Sequence, residues 1–234
     1  MKYTHFMNVL LIVVLIVGLA VPLKSASAAE SGALPTFSDF VAAVMDGQAN
    51  VVRGVYVPGT LALRVMQQPA NDPGSVLRVD GVATQFNLAA GNQIIGLLAH
   101  NDLAGASFSS LTVGQEVRIV YGDGRVDYFI VNRLARFQVL HFGSQNENYV
   151  ELSTNIAYTP QNIFTRFYDG NVHVTFQTCI FQDGNSSWGR LFVTAVPVST
   201  QYFRELQTFR IMMSIDFTGA DSALNSLIWG SGYR

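Results

Sequence analysis

Two apolar patterns divide the chain. Over residues 6–23 the only polar side chain is Asn8, and the two lysines of the whole protein, Lys2 and Lys24, flank that run. An apolar core of residues 9–23 behind a short positive start, followed by the small residues Ala26, Ser27 and Ala28, reads as an export signal. A spanning helix needs about 20 apolar residues. This run is slightly shorter and holds Pro22, so residues 1–29 are expected to be a cleaved signal peptide, with an uncleaved anchor through residues 6–23 as the alternative. Either way the remainder is expected outside the cytoplasm, at the outer face of the membrane or beyond. No later segment is long and apolar enough to span.

From residue 50 the pattern shortens to strand length. Thr36, with Asp39 three residues on, marks a helix start ahead of residues 40–45, and Gly47 ends it; the segment 30–49 therefore carries one short helix. Residues 51–57 and 61–66 are β-branched and apolar around Pro58-Gly59, which predicts a hairpin. Residues 67–74 read as loop, 76–82 as a weaker strand, and 93–99 as a strand buried on both faces. Val117, Ile119 and Tyr121, then Val126, Tyr128 and Ile130, alternate on either side of Gly122-Asp123-Gly124, the strongest hairpin signal in the chain. Short strands follow at 138–140 and 149–152. A last pair, 172–180 and 191–198, is joined by a loop holding Asp183-Gly184-Asn185. Strands at this spacing predict an all-β closed barrel or sandwich over residues 50–198. The tail 199–234 has mixed periodicity and receives no assignment.

Composition narrows the function. Charged residues are 13% of 234 and the formal net charge is −2, so no basic field draws nucleic acid. Cys179 is the only cysteine, which excludes an internal disulfide. Strand alternation puts Val172, Val174, Phe176, Thr178 and Ile180 on one face, and His173, Thr175, Gln177 and Cys179 on the other. A buried cysteine acting as a small hydrophobe belongs with the valines; Cys179 instead ends its strand on the polar side.

A nucleophilic thiol needs a proton partner and an oxyanion donor. His173 shares the strand of Cys179 at six residues, roughly 20 Å, and cannot reach it. His141 lies in a polar Gly/Ser/Asn stretch and is expected in solvent. His100 closes the most apolar strand, where a polar side chain points into whatever cleft lies at its end. Arg190 opens the strand expected to pair with that of Cys179, which sets it beside the thiol with a fixed charge and a forked set of donors. No His/Cys pair has metal-ligand spacing.

The order His, Thr-Cys, Arg, each on its own strand, resembles the sortases. Residues 174–179 (Val-Thr-Phe-Gln-Thr-Cys) are similar to the sortase strand ending in Thr-Cys, and 190–195 (Arg-Leu-Phe-Val-Thr-Ala) to the strand carrying the family's arginine. Gly96-Leu97-Leu98-Ala99-His100, followed by Phe108, Leu111 and Gly114-Gln115-Glu116-Val117, resembles the histidine segment and the next strand. Val55-Tyr56-Val57-Pro58 extends the likeness toward residue 50. The resemblance implies a sortase-like eight-stranded β-barrel with one short N-terminal helix. It also implies a cysteine transpeptidase that needs no cofactor. In that chemistry Cys179 attacks a backbone carbonyl of a surface protein's sorting signal, His100 protonates the leaving amine and Arg190 steadies the carbonyl oxygen. An amine, or water, then resolves the thioester. Thr178 is expected to support substrate or oxyanion, and the loop 181–189, with Trp188, to border the groove. The Leu-Pro-any-Thr-Gly signal itself is absent from this chain; Leu34-Pro35-Thr36-Phe37-Ser38 begins like it and departs at the last two positions. The alternative is a noncatalytic binding or surface module on the same barrel. Papain-like enzymes have the reverse Cys-then-His order, and the cysteine motif of L,D-transpeptidases is missing.

Overall fold

The computed structural model describes residues 34–72, 74–143 and 147–199, together with positions 205, 208 and 212. The chain divides into two units, Met1–Ala33 and Leu34–Arg234. The expected signal segment, and nearly all of the tail, lie outside the described residues. Among the described residues no helix is long and apolar enough to cross a membrane.

Among the described residues, ten strands build the second unit. β1 (Val52–Val57) and β2 (Leu61–Gln67) form the first antiparallel hairpin, and β3 (Val82–Gln85) runs parallel to β2. β4 (Ile95–Leu98) is buried at every position and lies between β3 and β9 (Val174–Gln182), parallel to the latter. β5 (Glu116–Tyr121) and β6 (Val126–Leu140) turn through Gly124, whose φ of 85° suits glycine. β7 (Asn148–Glu151) and β8 (Ala157–Tyr158) extend outward from β6. β10 (Asn185–Pro197) pairs with β9 on one side and β6 on the other. The order β10-β9-β4-β3-β2-β1-β5-β6 with the β10–β6 pairing closes eight strands into a mixed barrel, as expected.

The interior is filled by alternate side chains from the ring, among them Val55, Leu97, Ile119, Val131, Phe176 and Val193, and by Phe108 from a 3-10 helix (Ala104–Ser110). Phe108 meets Phe176 edge-on at 5.1 Å between ring centroids. Residues 174, 176, 178 and 180 face inward and 175, 177 and 179 outward, which is the alternation expected of this strand.

Helices cover two outer faces. α1 (Phe37–Val44) is capped by the Thr36 hydroxyl, which accepts from the Asp39 N–H, and seats Phe40 and Val44 against Tyr56 and Val120. It is the expected N-terminal helix. Two more appear that the apolar pattern did not predict. α2 (Asn87–Gly91) and α3 (Pro160–Tyr168) bury Ala89, Ile163, Phe167 and Tyr168 with Ile94, Ala135, Phe137 and Phe192. α3 opens with a reciprocal cap between Thr159 and Asn162 and has Pro160 at its start.

The strand expected over 76–82 is corrected. Regular pairing begins only at Val82, and residues 75–79 form an irregular strap. Side chains, not a ladder, hold its backbone: Gln68 Nε2 donates to the Ser75 carbonyl at 2.8 Å, and the Leu77 N–H donates to Thr84 Oγ1 at 2.9 Å. The loop expected over 181–189 is corrected too. β9 and β10 run on to a two-residue turn, Asp183-Gly184, with φ of 50° and 79°. β10 bulges between Asn185 and Gly189.

Candidate active site

Cys179 and Arg190 are direct partners in the β9–β10 ladder. Residues opposite one another in a sheet project from the same face, so thiol and guanidinium share the outer surface of the barrel. Gly189 lets β10 lie close against β6 beside Arg190: a Cβ there would lie 2.4 Å from the Phe137 carbonyl oxygen. Cys179 is half-buried.

His100 follows β4, which β9 flanks in parallel from Ile95↔Val174 to Leu98↔Gln177. The histidine thus leaves the sheet at the same end as the thiol. Both line one cleft of about 520 Å³, with Arg78, Asn101, Asp102, Phe181, Ser186 and Ser187. The His100 Nε2 lies 3.1 Å from the Val76 carbonyl oxygen. Arg78 donates to Asp102 at 2.5 Å across the cleft. That hydrogen bond, with the nearby His100 assisting, holds the Asp102 carboxyl below its ordinary value.

A second hollow of about 260 Å³ opens on the other side of Cys179, walled by Gly105, Ala106, Ile180, Phe181 and Leu191. Thr178 lines it from the inner face. Its Oγ1 is buried without a hydrogen-bond partner. A Cβ on Gly105 would come 2.3 Å from that oxygen and 2.7 Å from the carbonyl oxygens of Ala99 and His100. Glycine here therefore allows the His100 turn to lie directly against the Cys179 strand.

Arg190 is tied to the backbone of its own strand. Its Nη1 donates to the Gly189 and Ser187 carbonyls at 2.9 and 3.3 Å, and its guanidinium lies 5.4 Å from the Phe142 ring centroid. Tyr149 joins this corner: burial first, and then the Glu147 carboxylate that accepts from its hydroxyl, push the phenol up. The same phenol is lowered by Arg190 and raised by Cys179, so all three share one electrostatic environment. Sequence reasoning missed Tyr149. Its position on a four-residue strand outside the closed ring gave no signal beyond one aromatic among polar neighbours.

The remaining expectations sort cleanly. His173 gives both ring nitrogens to backbone carbonyls, of Asn171 at 2.7 Å and Phe167 at 3.0 Å. His141 is exposed in a turn with φ of 55°. Trp188 is half-buried within the β10 bulge, but the cleft is bordered on that strand by Ser186 and Ser187, not by the indole.

No protein-family model matches the sequence, and no curated protein does. Solved structures of sortases do. Sortase C-1 of Actinomyces oris is 12% identical with a TM-score of 0.42, the match covering 75% of this chain and 86% of that one. The sortase D5 transpeptidase of Clostridium perfringens is 13% identical at 0.41, over 69% and 88%. Sortase A of Listeria monocytogenes is 12% identical at 0.40, over 64% and 89%. The likeness is one of fold; the chemistry below rests on this chain's own residues.

Proposed function

We propose that this chain is an exported, sortase-like cysteine transpeptidase in which Cys179, His100 and Arg190 act together. The observation that carries the reading is that His100 and Cys179 line one cleft while Arg190 pairs with Cys179 across the β9–β10 ladder. The Cys179 thiolate attacks a substrate carbonyl carbon. The tetrahedral adduct collapses as His100 gives its proton to the departing amine, leaving a thioester on Sγ. An incoming amine attacks that thioester, returns a proton to His100, and restores the thiolate; water in its place would give hydrolysis. The cycle needs a deprotonated thiol beside a protonated imidazole, with a fixed positive charge on the same face. Arg190 supplies that charge and, released from the Ser187 carbonyl, two donors for the oxyanion. The substrates are a polypeptide of the cell surface and an amine acceptor.

Mass spectrometry of the purified protein mixed with candidate surface peptides and a small amine tests this. The expected result is an acyl adduct on Cys179 that the amine discharges. A second reading, a noncatalytic module, draws on the Arg190 guanidinium being bound to its own strand's carbonyls. Thiol alkylation separates the two: a nucleophilic Cys179 reacts far faster than a free cysteine near neutral pH, whereas an inert one tracks its exposure.

A further inference from the structure

The strap over residues 75–79 has no ladder of its own, yet it is tied down at four successive residues. The Ser75 carbonyl accepts from Gln68 at 2.8 Å, the Val76 carbonyl meets His100 Nε2 at 3.1 Å, the Leu77 N–H donates to Thr84 at 2.9 Å, and Arg78 bridges to Asp102 at 2.5 Å. Gln68 and Thr84 are themselves 4% and 0% exposed, so two of the ties come from rigid parts of the barrel. The other two land on His100 and on a residue two positions beyond it.

A backbone carbonyl only accepts. His100 Nε2 therefore carries a hydrogen in both the neutral and the cationic ring, and Nδ1 is the nitrogen left to exchange protons. A ring fixed through one nitrogen holds the other in a defined direction, as an orienting partner does in other acid–base sites. The charged and titratable groups around the ring are Arg78 from the strap, Asp102 from its own turn and Cys179 from β9. Arg78 and Asp102 largely offset each other.

We infer that the 75–79 strap is a positioning device for His100, with Arg78, Asp102 and Thr84 as positioning residues and Nδ1 as the atom that carries the transferred proton. The inference rests on the proposed role of His100, but its structural half stands apart from any substrate. The Val76 carbonyl accepts from the Nε2–H in either charge state of the ring and so fixes its orientation. The strap thus sets the direction in which Nδ1 meets the leaving amine. The proton passes from Nδ1 to the leaving nitrogen and returns to Nδ1 from the incoming one.

Nitrogen-15 NMR of the histidines in the full chain, with turnover on a verified peptide, tests the device. The wild-type His100 is expected as the Nε2–H tautomer when neutral. Arg78→Gln or Asp102→Asn should weaken that tautomer preference and reduce kcat about two- to fivefold with little change in KM, the range expected for an exposed pair. Thr84→Val, which strips the Leu77 N–H of its partner, should do more. The exchanged pair Arg78→Asp with Asp102→Arg keeps the bridge and reverses its charges. Recovery of kcat and of the tautomer preference in that variant identifies the bridge as a positioner. A neutral ring protonated on Nδ1 would overturn the inference, as would single variants with wild-type tautomer populations or an exchanged pair no better than either single change. If no thioester ever forms, the proposed activity fails while the tautomer populations still decide the strap.

Discussion

Cys179 and Arg190 come to share one face through two short-range rules of strand geometry. Period-2 alternation set Cys179 apart from Val174 and Phe176, and hairpin pairing set Arg190 opposite it. Neither rule depends on the rest of the fold. The guanidinium's anchor was not legible: it is the Ser187 and Gly189 carbonyls, and these face Arg190 only because β10 bulges there. Cys179→Ala should abolish the acyl adduct altogether, as intact-mass measurement would show. Arg190→Lys should lower kcat by about 10²–10³, the usual cost of losing one oxyanion donor, because an ammonium cannot reproduce the planar fork. Single-turnover kinetics would locate the loss in acylation. Near-wild-type turnover in the lysine variant would remove Arg190 from the proposed chemistry.

At the scale of elements, hairpins announced themselves and packing-dependent segments did not. β1–β2 and β5–β6 carry alternation and turn residues in one short window. α3 carries its signal differently. Thr159-Pro160 with Asn162 is a good start, and Ile163, Phe164, Phe167 and Tyr168 recur at helical spacing, but nine residues give too brief a period to stand out. The helix exists because Phe167 stacks on Phe192 at 4.2 Å and Phe137 meets both rings edge-on. Its position matters for the site, since the Phe167 carbonyl accepts from Thr175 Oγ1 and Tyr168 donates to Gln177, the two outward residues before Cys179 on β9. Phe167→Ala should therefore cost about 3–5 kcal/mol of stability by denaturant melt. Thr159→Ala, which removes only the cap, should cost about 1 kcal/mol. Similar losses for the two would mean that α3 is held by its cap and not by the aromatic cluster. The strap at 75–79 was misread as a strand for a related reason: Val76, Leu77 and Val79 have strand composition, but the backbone of residues 75–77 is held by the side chains of Gln68, His100 and Thr84, which no local pattern displays.

Closure is the property of the whole molecule, and it is what brings the His100 strand to the Cys179 strand. β4 reaches β9 only through a parallel pairing between segments far apart in sequence, and β10 completes the ring on β6. Alternation predicts strands but not which of them meet, so from the residues alone a barrel and a sandwich were equally open; the family resemblance chose the barrel. α1 tests how far the closed ring is self-sufficient. It seats on Gly54, where a Cβ would come 2.8 Å from the Phe40 ring, and it covers Tyr56 and Val120, whose exposures are 8% and 0%. The Tyr56 hydroxyl also donates to the Pro35 carbonyl at 3.0 Å. A chain beginning at residue 34 should melt cooperatively with all of these contacts intact. Starting instead at residue 50 uncovers two large side chains, worth about 1.5–3 kcal/mol each, and should lower Tm by roughly 10 °C. The site lies elsewhere on the barrel, so thiol reactivity at Cys179 should survive at temperatures where the shorter chain is still folded. Gly54→Ala supplies the internal check through a double-mutant cycle. In the longer chain the new methyl meets the Phe40 ring and should destabilise. In the shorter chain the ring is gone, and the substitution should be close to neutral. An equal cost in both backgrounds would mean that α1 does not pack against β1 as described.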